Sequence, residues 1–173
     1  WGVEHLYRKH FGNGKGLLDA KCGYTGGSTD DPNYKLVCSG TTGRMNPLPQ
    51  FVSKVVYLAL TKTMADAEAI QITFDPSIVT YRQLIEFFYR MHDPTTADRQ
   101  GPDVGGQYRS AIFYHDEEQE RIAREVTDKV AKQWFKDQAV TTRIEPAGKF
   151  WEAEEYHQLY LTKNPSGYEC PSQ

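Results

Sequence analysis

A turn-rich segment that runs directly into a strand, at residues 100–114, constrains this sequence most strongly. Loop-forming residues come first (Gly101, Pro102, Gly105 and Gly106), and they favour tight turns. From Tyr108 to Tyr114 the residues then alternate between two sides, as in a strand with one buried face. Asp103 and Tyr108 are the polar residues that such a loop could direct into a pocket. We therefore expect a sheet strand preceded by a pocket-forming loop.

The remaining segments alternate between helical and strand patterns. Apolar residues recur at helical spacing in residues 1–11, and polar caps at Thr80 and Asp116 open two further helices, the second with Trp134 inward. Strand patterns cover 17–24, 69–75, 108–114 and 140–145, while 34–43 is predicted to be irregular and 150–161 helical. One strand added before Trp1 would complete a ferredoxin-like split βαβ motif. We predict an α/β (α+β) fold with that core, its first strand missing, added C-terminal helices and a tail, all in one domain over 1–173.

Composition and charge exclude several functions. A net charge of −3 and a pI near 6.0 give no electrostatic argument for nucleic-acid binding. No apolar run approaches the roughly 20 residues that a membrane span needs. The three cysteines show neither CxxC nor zinc-site spacing, and an odd, sparse count favours a reducing compartment. The sequence begins with Trp1 rather than Met, so we expect it to be processed or a fragment. We expect a cytoplasmic monomer, or a mitochondrial protein if a transit peptide preceded Trp1.

Two motifs carry a family resemblance. His92-Asp93-Pro94-Thr95-Thr96 and the block from Gln100 to Ile112 closely resemble the pattern HDPTT…RQGxDxGxQYRSAI of the class A peptide methionine sulfoxide reductases. The resemblance extends over Trp1 to Gly43 and Ala67 to Cys170. It implies reduction of the S-epimer of methionine sulfoxide, free or in proteins, to repair oxidative damage. It also implies thiol reductants such as thioredoxin, and neither a metal nor an organic cofactor.

The resemblance also implies a set of site residues. Glu68 corresponds to the family proton donor, and it shares the parity of the apolar row of its strand, where burial would raise the pKa of its carboxyl. Tyr34 and Tyr108 correspond to the tyrosines that hold the sulfoxide oxygen, Asp103 to the aspartate that shapes the site, and Trp1 to the wall of the methyl pocket. Taken singly, each residue also has a simpler interpretation. Glu68 could be an ordinary surface glutamate, the aromatic residues could belong to the core, and Asp103 could be a turn residue.

The nucleophile of the family is the Cys of a Gly-Cys-Phe-Trp-Gly motif. Only Trp1-Gly2 of that motif is present here, so we expect Gly, Cys and Phe to be encoded upstream of Trp1. Residues 1–173 alone are then expected to be inactive, whereas the form extended upstream and without residues 44–66 is expected to turn over. The alternative function is a fragment that only binds methionine-sulfoxide peptides.

The other cysteines and histidines have simpler interpretations. Cys170, in a mobile tail predicted over 164–173, matches the resolving thiol that forms a disulfide with the oxidised nucleophile. Cys22 and Cys38 are predicted to be structural, with Cys22 inward. Glu154-x-x-His157 is a single pair, too few ligands for the metal sites built from such motifs, so no metal is predicted. His92-Asp93 is interpreted as a cap or brace.

An atypical segment interrupts the resemblance at residues 44–66. The family pattern VCSG-x-TGHAEA is matched up to Gly43 and again from Ala67, and the family His is absent between them. We hypothesise a retained intron, because assumed codons at the two ends give splice-like boundaries whose joining restores that His. The mature transcript would test this hypothesis. The alternative is a genuine surface loop with a short helix at Val52–Leu60. Closing such a longer loop would cost little additional conformational entropy.

Overall fold

A computed structural model describes residues 2–25, 30–39, 55–60, 67–105 and 108–167, with backbone alone for 55–60 and 67. The longest helices follow the sequence predictions, including the two predicted caps. Thr80 and Gln83 form a complete capping box, and the Asp116 side chain accepts from the backbone N–H of Gln119 at 2.7 Å. In chain order the elements are α1 Gly2–Phe11, β1 Leu17–Thr25, α2 Tyr34–Ser39, β2 Val55–Leu60, β3 Ala67–Phe74, α3 Tyr81–Phe88, β4 Arg99–Gln100, β5 Asp103–Val104, β6 Ser110–Tyr114, α4 Glu117–Trp134, β7 Arg143–Pro146, β8 Trp151–Glu152 and α5 Tyr160–Lys163.

Six of the strands form one mixed sheet in the order β7-β6-β2-β3-β1-β8. The β6–β7 pair is parallel, and the other four neighbouring pairs are antiparallel. A separate hairpin is formed by β4 and β5. The mixed α/β class is as predicted. In the part of the chain that the structure describes, no helix is long and apolar enough to cross a bilayer.

Strand β2 corrects the interpretation of the atypical segment. It lies between β3 and β6, with Leu58 paired to Ile70 on one side and Ile112 on the other. In a split βαβ motif this place belongs to the first strand, which was expected to be missing. The predicted surface loop with a short helix is therefore wrong for residues 55–60. Residues 44–54 and 61–66 lie outside the described ranges, and the retained-intron origin stays a prediction.

Two segments depart from the sequence predictions because distant partners hold them. Residues 34–39 form α2 rather than irregular structure. Residues 150–161 do not form one helix, because Trp151–Glu152 pairs with β1 at Gly23 and Tyr24 and the chain then turns into the short α5. Gly23 permits this pairing, since a Cβ there would collide with the backbone of Trp151. The tail from 168 onward lies outside the described residues.

The main core lies between one face of the sheet and helices α1, α3 and α4. Tyr7 is fully buried in it and donates its hydroxyl hydrogen to the Leu84 carbonyl at 2.8 Å, which ties α1 to α3. Trp134 was predicted to point inward but is 48% exposed, beneath the Arg90 guanidinium. Central core members include Ile70, Ile72, Leu84, Ile85, Ile112, Ala123 and Val126. The inward row of β1 continues beyond this core and ends at Tyr24, where a cavity opens.

Candidate active site

A cavity of about 220 Å³ lies where β1 ends and β3 begins, beside the first turn of α1. Its walls come from α1, β1, α2, β3, the β4–β5 hairpin and the segment after β8. Four residues predicted from the sequence line it, Glu68, Tyr34, Tyr108 and Asp103, together with two that were not predicted for a site, Tyr24 and His157. The cavity thus gathers ionisable and phenolic groups from distant parts of the chain.

Glu68 is the second residue of β3 and pairs directly with Tyr24 of β1. Directly paired residues project from the same face of an antiparallel sheet, so the two side chains lie together. Glu68 Oε1 is buried and has no hydrogen-bond partner among the described residues. Burial raises the pKa of the Glu68 carboxyl to about 7, and the nearby charge of Asp103 acts in the same direction. Near neutral pH this carboxyl is therefore substantially protonated and can act as an acid.

Tyr34 and Tyr108 present phenols to the same cavity. Tyr34 is the first residue of α2, and the thiol of Cys38 on the next turn lies near its phenol. Burial and this neighbour raise the pKa of Tyr34, so the phenol keeps its proton. Tyr108 follows the β4–β5 hairpin, and its backbone N–H donates to the Gly105 carbonyl at 3.1 Å. Both residues can supply hydroxyl donors to an oxygen in the cavity.

The hairpin that carries Asp103 is hydrogen-bonded to the segment that follows α3. Asp103 pairs with Gln100, whose side-chain amide accepts from Asp93 N–H at 3.1 Å and donates to the Asp93 carbonyl at 3.2 Å. Asp93 in turn accepts from the backbone and the hydroxyl of Thr95. Asp103 lines the same cavity as Glu68, and its charge acts on the Glu68 carboxyl.

His92 confirms the predicted brace. Its ring is 2% exposed, with Nδ1 at 2.6 Å from the Phe88 carbonyl and Nε2 at 2.8 Å from the Ser110 hydroxyl. A carbonyl only accepts, so Nδ1 carries the proton and Nε2 accepts from Ser110. Burial lowers the pKa of His92 to about 4, and the ring is neutral at physiological pH. It joins the end of α3 to the start of β6.

Glu154 and Tyr24 were not predicted as site residues. Glu154 was considered only as half of a metal motif, yet its Oε2 accepts from the Tyr24 hydroxyl at 2.7 Å and its Oε1 from the Tyr34 N–H at 3.0 Å. The ring of His157 lies 4.9 Å from that of Tyr34. Within the described ranges no group of three or more His, Cys, Asp or Glu could hold a metal ion. The strand parity of Tyr24 was the signal that could have found it.

The two cysteines in the described part of the chain differ in burial. Cys22 is buried as predicted, at the cavity wall, with its Sγ 3.5 Å from Oε2 of the buried Glu4. Burial raises the pKa of the Cys22 thiol to about 11. Cys38 is exposed rather than part of the core, and the pKa of its thiol is also raised, chiefly by desolvation. Trp1 and Cys170 lie outside the described residues, so their roles stay predictions.

Comparisons with known proteins agree with this architecture. The family model described as peptide methionine sulfoxide reductase matches residues 1–48 and 52–173. The probable peptide methionine sulfoxide reductase of Schizosaccharomyces pombe is 44% identical over 99% of this chain and 88% of its own length. Peptide methionine sulfoxide reductase MsrA of Methanothermobacter thermautotrophicus is 45% identical over 95% of this chain and 82% of its own.

A solved structure shows the same fold. The crystal structure of Mxr1 from Saccharomyces cerevisiae in reduced form matches with a TM-score of 0.78 and 39% identity, covering 99% of this chain and 83% of that one. The family model, the two relatives and this structure each extend over nearly all of the sequence. The chain therefore belongs to the peptide methionine sulfoxide reductase family.

Proposed function

We propose that this protein reduces the S-epimer of methionine sulfoxide, free or in proteins, to methionine, and so repairs oxidised proteins. One observation carries the proposal: Glu68, a carboxyl whose pKa is raised to about 7, and two phenols, Tyr34 and Tyr108, line a single cavity. A sulfoxide oxygen is a strong hydrogen-bond acceptor that needs a proton as its bond to sulfur breaks. The three groups supply donors and a proton at one place.

In the proposed reaction the two phenols hold the oxygen and Glu68 gives up its proton. A thiolate attacks the sulfoxide sulfur, and the oxygen moves to the attacking thiol. The products are methionine, a protein sulfenic acid that keeps the Glu68 proton, and the Glu68 carboxylate. Asp103 contributes by disfavouring the charged form of Glu68 before the reaction.

The thiols follow the family pattern. The resemblance assigns the nucleophile to the Cys of Gly-Cys-Phe-Trp-Gly, whose last two residues correspond to Trp1-Gly2. Cys170 then attacks the sulfenic acid, releasing water and forming a disulfide that thioredoxin reduces. A crystal structure of Mxr1 from Saccharomyces cerevisiae in complex with Trx2 supports a thioredoxin partner. We propose that the protein works as a monomer in the cytoplasm.

A second candidate function is binding without reduction. The two thiols in the described part of the chain, Cys22 and Cys38, both have raised pKa values, which disfavour the reactive thiolate at neutral pH. If neither acts as a nucleophile, residues 1–173 hold methionine sulfoxide but do not reduce it.

Binding and turnover separate these functions. Calorimetric titration of the full chain with the S- and R-epimers of N-acetyl-methionine sulfoxide is expected to show preferential binding of the S-epimer. Equal binding of the two epimers, or none, would contradict the proposed site. A parallel assay with thioredoxin, thioredoxin reductase and NADPH is expected to show no turnover by residues 1–173 and turnover by the form extended upstream and without residues 44–66. Turnover by residues 1–173 would contradict the assignment of the nucleophile to the family motif, and no turnover by the extended form would favour binding without reduction.

A further inference from the structure

We propose that Glu154 is a positioning residue, which holds Tyr34 at the cavity wall and thereby sets how the sulfoxide oxygen is bound. The inference rests on the proposed function. Its basis is one carboxylate shared between two tyrosines: Glu154 Oε1 accepts from the backbone N–H of Tyr34 at 3.0 Å, and Oε2 accepts from the hydroxyl of Tyr24 at 2.7 Å. Both carboxylate oxygens thus accept from protein donors.

Helix α2 depends on this contact because it has little stability of its own. A helix of six residues is too short to persist without tertiary contacts. The N–H groups of its first turn lack partners within the helix. Asn33 satisfies two of the N–H groups, through its side chain to Leu36 at 3.1 Å and through its carbonyl to Val37 at 3.0 Å. Glu154 satisfies the N–H of Tyr34, the residue whose phenol faces the cavity.

The segment that carries Glu154 is itself firmly attached to the sheet. Ala153 is buried, and its N–H donates to the Cys22 carbonyl at 2.9 Å. The Gln158 side chain accepts from Cys22 N–H at 2.9 Å and donates to the carbonyls of Cys22 and Ala153. Glu154 therefore lies between Ala153 and Gln158, which are both hydrogen-bonded to Cys22 of β1 and to each other. It is a fixed anchor from which α2 can be positioned.

The Tyr24 phenol differs from those of Tyr34 and Tyr108 because its hydroxyl already donates to a carboxylate of the protein. Its proton is donated to Glu154, and burial followed by this carboxylate raises the pKa of Tyr24. Burial opposes ionisation of Glu154, but the hydrogen bonds from Tyr34 and Tyr24 outweigh it and lower the pKa of this carboxyl. Glu154, whose pKa is lowered, thus binds protein groups behind the cavity wall, whereas Glu68, whose pKa is raised, lines the cavity and lacks a partner at Oε1 among the described residues.

A double-mutant cycle in the full chain tests the proposal. The variants are Glu154→Gln, Tyr34→Phe and the double variant, with Glu155→Gln as the matched control because Glu155 is the exposed neighbour and pairs with Lys163. Gln offers one acceptor oxygen in place of two, so it cannot serve both tyrosines. The readout is the Kd for N-acetyl-L-methionine-S-sulfoxide at pH 6.5, measured by calorimetry.

Each single variant is expected to weaken binding about 2- to 10-fold, the worth of one hydrogen bond. The double variant is expected to bind as Tyr34→Phe does, because Glu154 acts through Tyr34. The control should match the unmodified chain. If the effects of the two single variants multiply in the double variant, the positioning role of Glu154 is wrong. It is also wrong if Glu154→Gln leaves the Kd unchanged while Tyr34→Phe weakens binding. Neither result would contradict the proposed function.

Two further outcomes are also decisive. If Tyr34→Phe leaves the Kd unchanged, the role of Tyr34 in the proposed function fails, and the inference fails with it. If Glu154→Gln does not fold, Glu154→Asp replaces it in the same cycle. The shorter carboxylate cannot reach both donors, so the same non-additive weakening is expected. Multiplying effects would again overturn the proposal.

Discussion

Glu68 is paired directly with Tyr24 across strands β3 and β1, so an ionisable carboxyl lies beside a large aromatic ring on one face of the sheet. The ring is 2% exposed and helps to exclude water from this end of the strand. Its hydroxyl donates to Glu154, while Glu68 Oε1 has no partner among the described residues. This pairing explains how a residue near a strand end acquires the raised pKa that an acid needs.

The first prediction concerns the stability cost of burying Glu68. Its pKa rises from an ordinary 4.5 to about 7, so between these values the folded chain binds a proton that the unfolded chain has released. Stability should therefore fall as pH rises from 5 to 8, by roughly 3 kcal/mol at most from this group. Glu68→Gln removes this contribution, so its stability relative to the unmodified chain should increase with pH.

Urea unfolding followed by circular dichroism at pH 5, 6, 7 and 8 measures this difference. Glu117→Gln, on the exposed first turn of α4, is the matched control. A Glu68→Gln difference that stays constant over the range would contradict a raised pKa in the folded chain.

The second prediction concerns the phenol of Tyr108. Tyr108→Phe removes a hydroxyl that faces the cavity and should weaken binding of N-acetyl-L-methionine-S-sulfoxide about 2- to 10-fold. Tyr156→Phe removes a hydroxyl from a residue that is 59% exposed, and it should leave the Kd unchanged. Calorimetric titrations of both variants make the comparison. Equal Kd values for the two would exclude Tyr108 from contact with the sulfoxide oxygen.

A third prediction concerns strand β2. Its backbone is hydrogen-bonded on both sides, to β3 and β6. The amides of Tyr57–Ala59 should therefore exchange with deuterium as slowly as those of Ile70 and Ile72. Leu58→Pro removes a ladder donor in the middle of the sheet and should destabilise the chain by at least about 2 kcal/mol. Rapid exchange, together with a harmless proline, would show that β2 does not occupy this place in solution.

The fourth prediction concerns acid stability. The pKa of buried His92 falls from 6.5 to about 4, so between these values the unfolded chain binds a proton that the folded chain does not. Stability should fall as pH drops from 6.5 to 4, by roughly 3 kcal/mol at most from this group. His92→Gln should lose this component, whereas the half-buried His5→Gln should keep it. Urea unfolding measures the free energy of unfolding at each pH. If it falls equally with decreasing pH in the unmodified chain, His92→Gln and His5→Gln, then His92 is not a source of acid sensitivity.

Sequence reasoning succeeded where local interactions determine structure. The caps at Thr80 and Asp116 use partners three residues away, so a short window contains the whole signal. The inward position of Cys22 follows from strand parity in the same way.

Sequence reasoning was wrong where partners are distant along the chain. Helix α2 forms partly because Glu154, 120 residues away, accepts the Tyr34 N–H. The segment after Lys149 is not helical because Gly23 admits Trp151 to the edge of the sheet. The helical spacing behind the alternative of a short helix at Val52–Leu60 could not include the neighbours β3 and β6, which make residues 55–60 a strand. The strand parity of Tyr24 indicated an inward side chain, but its place at the cavity became evident only from its pairing with Glu68.

The central claim is that Glu68 is a neutral acid that meets the sulfoxide oxygen, and its own titration tests this most directly. In the full chain labelled with ¹³C at glutamate carboxyls, Glu68 is identified by loss of its signal in Glu68→Gln. We predict that Glu68 titrates near pH 7, and that saturating N-acetyl-L-methionine-S-sulfoxide raises the midpoint further, because only the protonated carboxyl can donate to the bound oxygen. A midpoint near 4.5 that the ligand does not shift would contradict the account.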